Sequence, residues 1–474
     1  MTIDGADRPA AAVALLDPCD DPKAVRGRER VAFVLGDLAS NLTWSTIGSY
    51  LVFFYTDVAG IAAAAAGTLV LVTRVLDGFF DPLVGLMMDR THTRWGRARP
   101  YLLFGAPAAS ILLVLTFLTP SGHGGLVYAY VTFVLVGLAY SAVNVPYKSL
   151  LSITTRDSQT RMKIAGLQSV GAGLGLIVIS VVTQPLVSAI GGSPTSRLGW
   201  GCVAGIYAIA ALILIWIVFA LVKERVPRPA RESGNPRAAL RALFTNWPWM
   251  VVSAFSILSF ARLGCVTGGA IYYALHVLND KAAVSEILLV FSVTAILTAV
   301  GAAKLLTSLG HRRGLLVSLV VSLPLSASLI GLQHHFVVFL VVFCLANVTG
   351  LVGLVAAVAL IADTVEWNEY RTGRRDEGLL FSGYSMATKI GAALGAAALA
   401  WGLAAVGYQA DHVTAAASTG IARLFVFLPV AIGVLQLIVI WFYRLESKLP
   451  QVRAELARRR EAAGHEPAAA GTAV

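Results

Sequence analysis

Charge is scarce in this chain. Only 13% of its 474 residues are Asp, Glu, Lys or Arg, against about 25% in an average soluble domain. Cysteine is scarcer still. Cys19, Cys202, Cys265 and Cys344 are scattered, three of them in apolar stretches. That spacing excludes a disulfide framework or a zinc knuckle and fits small buried side chains. Neither a His-Glu-x-x-His run nor a Gly-x-Ser-x-Gly elbow occurs, so no enzyme of those kinds is expected and no catalytic residue is assigned. The short alternation of polar and apolar residues that marks a membrane β-barrel is missing. The first thirty residues are polar and show no removable apolar core.

Apolar length is what the chain does have. It is 57% hydrophobic, and the apolar runs recur at roughly the twenty residues that cross a bilayer. The expected architecture is an all-α membrane protein of twelve transmembrane helices in two six-helix bundles. Spans are predicted near 31–55, 62–88, 101–119, 126–151, 163–190 and 200–222, then near 247–277, 283–308, 314–332, 336–363, 377–407 and 419–444. The first bundle is 31–222 and the second 247–444. Between them runs a polar, proline- and arginine-rich linker, 223–246, and tails of 1–30 and 445–474 flank the whole.

The net charge of +11 does not imply nucleic acid. The basic residues gather in alternate loops: Arg90 to Arg99, Arg156 to Lys163, the linker, His311 to Arg313, Arg371 to Arg375, and the tail at Arg458 to Arg460. The opposite loops carry only Arg197 and Lys281. Positive loops stay inside, so both termini are expected to be cytoplasmic, in the inner cell membrane. A weak repeat supports two related halves: Ser169 to Gly175 (SVGAGLG) resembles Lys389 to Gly395 (KIGAALG). Small residues at such spacing let helices pack closely.

Charges at membrane depth are costly and usually serve a pathway. Arg74, Asp77 and Asp81 stand three and four residues apart in the second span, hence on one helix face. One arginine against two aspartates leaves −1, which a single monovalent cation or proton would neutralise. Ser141 is a candidate hydroxyl partner, and Pro82 frees the Gly78 carbonyl. The alternative is that Arg74 neutralises one aspartate and the set staples helices. Lys389, in the eleventh span, needs a partner; it is either a structural partner of Asp77 or Asp81 across the halves or, with Arg74, a coupling residue whose pairing rearranges as the halves rock. Asn41, Trp44, Tyr140, Asn144 and Lys148 are candidates to line a solute cavity, or else to join helices. Gly85, Asp89, Arg90, Arg94, Asp363 and Glu366 are candidates for a latch on the cytoplasmic side, Asp89 seeking an arginine or the N-terminus of another helix. The alternative there is a set of interfacial salt bridges. Arg262 has no partner nearby in sequence.

Three segments then carry a family resemblance: YTDVAG followed by RVLDGFFDPLVGLMMDRTHTRWGRARPY; NVPYKSLLSITTRDSQTR; and ADTVEWNEYRTGRRDEGLLFS running on to Lys389. They resemble the glycoside-pentoside-hexuronide:cation symporter family, a branch of the major facilitator superfamily. The resemblance implies cation-coupled sugar uptake by alternating access. The cation would sit at Asp77 and Asp81 near Ser141, with Lys389 between ion and solute. At the sugar site the chain departs from the melibiose-type pattern. Asn41 and Asn144 replace acidic residues, Lys148 replaces a tryptophan, and Ser169 replaces an arginine, so coupling is expected to survive with a changed solute. The coupling ion is Na+ or H+, no cofactor is expected, and the chain is expected to work as a monomer. Alternatives are the same fold carrying a lysolipid or exporting a small molecule, or a membrane sensor.

Overall fold

The computed structural model describes residues 25–122, 124–155, 157–225, 245–373 and 377–464. Among them no strand occurs beyond one isolated bridge, Thr93 to Gly96. The first half contains α1 (Gly27–Phe53), which runs on as a π-helical turn (Phe54–Val58), α2 (Ala63–Arg90), α3 (Arg99–Thr116), α4 (Gly125–Thr154), α5 (Ser158–Gly191) and α6 (Arg197–Leu221). The second contains α7 (Trp247–His276), α8 (Ala282–Leu309), α9 (His311–Ser328), α10 (Phe336–Gly350), α11 (Val352–Thr372), α12 (Glu377–Ala405) and α13 (Ala415–Trp441). Ten of the helical stretches are long and apolar enough to cross a membrane, α10 and α11 counting as one. α1 and α2 are long enough but fall outside those ten; they carry Asp37 and Asn41, and Arg74, Asp77 and Asp81. Phe79, Leu83, Met87, Val127, Ile209 and Val337 are large, apolar and more than half exposed (Val127 and Val337 by 67% and 75%). Such an apolar exterior is a lipid-facing one.

Two differences from the sequence reading stand out. The tenth span is broken: α10 ends at Gly350 and α11 begins at Val352, with Leu351 between them. Within the tail that follows the last span, Leu449–Gly464 forms a further helix, α14, packed on α11. Most of the linker, residues 226–244, lies outside the described residues.

The internal repeat is a packing device. Gly171 of α5 faces the Val34 carbonyl of α1, and Gly175 faces Asn41 and the Leu38 carbonyl. Gly391 and Gly395 of α12 face the Ile257 and Ala261 carbonyls of α7 in the same way. A β-carbon at any of the four would collide with its neighbour. A second repeated feature escaped the sequence reading. Glu224, just after α6, accepts the backbone N–H groups of Arg97, Ala98 and Arg99 at 2.9, 2.8 and 3.1 Å, at the start of α3. Glu446, just after α13, accepts those of His311 and Arg312 at 2.8 Å each, at the start of α9. Each carboxylate rests over a glycine of positive φ, Gly96 (106°) and Gly310 (81°). A carboxylate answers both the unpaired donors and the positive end of a helix N-terminus.

The apolar cores show how the halves meet. One core draws on both halves, with Tyr50, Phe53 and Trp200 beside Tyr272 and Phe425. Two others belong to a single half each, one around Phe33 and Tyr147, the other around Phe255 and Tyr443. The halves are therefore fused at the end where α1 meets α2 and apart in their cores at the other.

Candidate functional site

α2 brings its three charges against α4. Asp77 is 1% exposed, and neither of its carboxylate oxygens has a hydrogen-bond partner. Its carboxylate lies on Gly137 of α4, where a β-carbon would overlap Oδ1. Ser141 is buried one turn further along the same face of α4. Pro82 lies inside α2, so the Gly78 carbonyl has no helical donor. Arg74, 5% exposed, does not bond Asp77. Its guanidinium lies 3.5 Å over the Trp44 ring, with Phe133 at 5.7 Å, and one guanidinium nitrogen is unpartnered.

Lys389 supplies the missing link across the molecule. Its ammonium is ion-paired with Asp81 Oδ2, joining α12 of the second half to α2 of the first. Asp81 Oδ1 remains unpartnered. The sequence count of −1 is thereby corrected: with Lys389 in place, two cations face two aspartates and the cluster is neutral. Three buried carboxylate oxygens without donors still converge on it. Hard monovalent cations select oxygen donors of this kind.

A cavity of about 350 Å³ lies between the halves next to this cluster. Asn41, Trp44, Ser45, Arg74 and Thr267 provide its polar points, and the rest of the wall is chiefly apolar, including Leu176, Phe260, Phe291 and Ala392. The volume is at the small end for a ligand site. Of the predicted cavity residues, Asn41 and Trp44 line it. The Trp44 ring stacks on Tyr140 at 4.6 Å as well as under Arg74, so it does not offer a bare face. The other predictions need correction. Tyr140 and Asn144 border a separate small cavity inside the first half, with Ser40, Thr43 and Ser110. Ser169 is exposed and bonds the Ala165 carbonyl at 3.2 Å. Lys148 is paired with Asp37 at 2.5 Å, and Asp37 also accepts the Tyr147 hydroxyl at 2.7 Å. Asp37 went unread in the sequence, although a lone acid within a span was signal enough. Gly137 had no signal, being one small residue among many.

Among the described residues, the latch candidates do not join the two halves. Asp363 and Glu366 both bind Arg453 of α14, at 3.0 and 2.7 Å, and the Glu366 hydrogen bond raises the Arg453 guanidinium further above its usual range. Arg90 is exposed, and Arg94 lies 4.4 Å over Trp95. Gly85 has open space where close contact was expected. The Asp89 side chain lies outside the described residues. Arg262 neither snorkels nor meets an acid. It is 6% exposed and donates to Ser322 and Ser326 at 2.7 and 3.3 Å beside Gly350, at the break in the tenth span.

Known proteins place this arrangement. The family described as "MFS/sugar transport protein" matches residues 32–447. The chain belongs to that family. It is 34% identical over 440 residues to the isoprimeverose transporter of Lactiplantibacillus pentosus, covering 91% of each chain. It is 33% identical to a putative glycoside/cation symporter of Escherichia coli, over 94% of this chain and 98% of that one. Among solved structures, an inward-facing bacterial homologue of the human lysosomal transporter Spinster superposes with a TM-score of 0.66 at 14% identity, over 89% of this chain and 96% of that one. The D-xylose-proton symporter superposes with a TM-score of 0.63, also at 14% identity, over 89% and 97%. These two show the fold, that of a major facilitator.

Proposed function

We propose that the chain is a cation-coupled secondary transporter that imports a sugar or glycoside-like solute across the inner cell membrane by alternating access. One observation carries the ion site: the Asp77 carboxylate is buried with both oxygens unpartnered, one turn from an aspartate that ties the two halves together through Lys389. Burying a carboxylate with no hydrogen-bond donor on either oxygen is expensive, so a group built this way is built for a cation. Na+ or H+ would bind Asp77 and Asp81 with the Ser141 hydroxyl in reach. An arriving cation competes with the Lys389 ammonium for Asp81. Releasing Lys389 loosens the bond between α2 and α12, and that ties cation binding to the relative motion of the halves. The relatives' names support a glycoside as solute. Both termini and the arginine-rich loops would face the cytoplasm, and one chain would suffice for transport.

The chiefly apolar wall of the central cavity favours a second reading of the cargo, an amphiphile such as a lysolipid. Uptake of a radiolabelled glycoside panel into vesicles, under an imposed sodium or proton gradient, tests both. A gradient of 100 mV is worth about 2.3 kcal/mol per charge, or roughly fifty-fold accumulation. The expected result is accumulation of a glycoside that collapses with an ionophore and is lost in Asp77→Asn. Accumulation undiminished in Asp77→Asn sinks the ion-site reading. Competition by lysolipid and by no glycoside selects the amphiphile.

A further inference from the structure

A second group of titratable side chains bridges the halves, at the fused end. Asp57 lies in the π-helical turn after α1, its side chain 3% exposed. Its carboxylate accepts the Tyr408 hydroxyl from the turn after α12, and the Thr56 hydroxyl at 2.5 Å. The Tyr272 hydroxyl of α7 lies 2.7 Å from Thr56 Oγ1. His276, at the last turn of α7, brings Nε2 to 3.0 Å from the Tyr408 oxygen and 3.5 Å from Asp57 Oδ1. The Ser418 hydroxyl of α13 holds the His276 carbonyl at 2.7 Å.

Proton positions follow from this geometry. The Tyr408 hydroxyl has one proton, which it gives to the carboxylate, so toward His276 it accepts. Nε2 therefore carries a proton. A further proton on Nδ1 makes an imidazolium facing the Asp57 carboxylate, and imidazole is the side chain that changes charge near neutral pH. Among the described residues, the titratable groups facing this imidazole are Asp57 from the first half, Tyr408 from the turn after α12 and Tyr272 one turn back on α7; α13 contributes a serine hydroxyl.

We propose that Asp57, Tyr408 and His276 form a proton-binding latch, distinct from the Asp77 cluster, that holds this end of the pathway shut. Proton uptake at His276 adds charge attraction to the hydrogen bonds and favours closure. Proton release weakens the hold, and the halves part as the Tyr408 hydroxyl, with His276 bonded behind it, leaves Asp57.

The test is the distance between spin labels at Thr195 and Gln409, one exposed site in each half at this end, by pulsed electron resonance. It uses the full-length protein in nanodiscs, its native cysteines replaced and Asp77 changed to Asn so that the coupling site does not respond to protons, without solute or sodium. The separated population is expected to grow at least threefold from pH 5.5 to pH 8 in the parent. In His276→Gln it is expected to stay constant with pH. In Tyr408→Phe, which keeps the ring that packs edge-on to Tyr272 at 5.4 Å and so spares the fold, it is expected to rise at both pH values. A His276→Gln protein with the parent's pH response, or a Tyr408→Phe protein with the parent's distances, overturns the latch. The readout needs neither solute nor Asp77, so its failure leaves the cation-site reading untouched.

Discussion

Asp77 owes its position to a glycine on another helix. Its carboxylate rests on Gly137 of α4, and a methyl group there would push it off. Gly137→Ala is therefore expected to cost about 1–3 kcal/mol through overpacking and to weaken any cation effect on the melting temperature. An unchanged melt with an unchanged cation effect would show that the close approach is incidental. Lys389 is the second control. It neutralises Asp81, and Lys389→Gln leaves the cluster at −1. Cation affinity, read as the midpoint of a thermal-shift titration, is expected to rise at least tenfold, about 1.4 kcal/mol, while coupled uptake is lost. A midpoint that does not move would mean that lysine and cation do not compete. Asp77, Asp81 and Lys389 were all legible in the sequence, because a charge within an apolar span is a strong signal. What was not legible was which charges meet. Lys389 reads in sequence as a partner for either aspartate across the halves, but that it takes Asp81, 308 residues away, is not written in α2, and nothing in a linear pattern pairs Lys148 with Asp37.

At the scale of elements, helix ends and helix contacts repeat between the halves. Glu224 and Glu446 each take up the unpaired donors at the start of a helix and lie over a positive-φ glycine. Charge-assisted hydrogen bonds of this kind are worth about 1.5–3 kcal/mol. Glu224→Gln and Glu446→Gln are each expected to lower thermal stability by about that much, and the two together additively, since they sit in different halves. A clear loss in one and none in the other would show that the likeness is one of geometry only. The glycine repeat was visible in sequence because small residues keep a register. The carboxylate caps were not, because each acts across more than a hundred residues on a loop. The broken tenth span hid for a related reason. Gly350 and Leu351 read as ordinary apolar helix, and the break shows only where Arg262 and Ser322 stand against it.

For the whole molecule, hydrophobicity and loop charge were enough to expect twelve spans in two bundles. They could not say which conformation the bundles adopt. The shared core at one end and the separate cores at the other describe a transporter closed at the Asp57 end. Asp363 and Glu366, free of the first half, are held by Arg453 of α14. The reading as a coupled transporter stands or falls with the cation site. Its most direct test is the melting temperature of the purified protein against sodium, lithium and pH, in the parent and in Asp77→Asn. A ligand that binds only the native state stabilises it by about 2.7 kcal/mol at a hundred times its Kd. The expected result is a melt that rises with sodium and lithium in the parent, or a pH dependence steeper than the Asp57 end alone gives, with that rise or that excess absent in Asp77→Asn. A parent indifferent to all three, or a response undiminished in Asp77→Asn, would contradict the account.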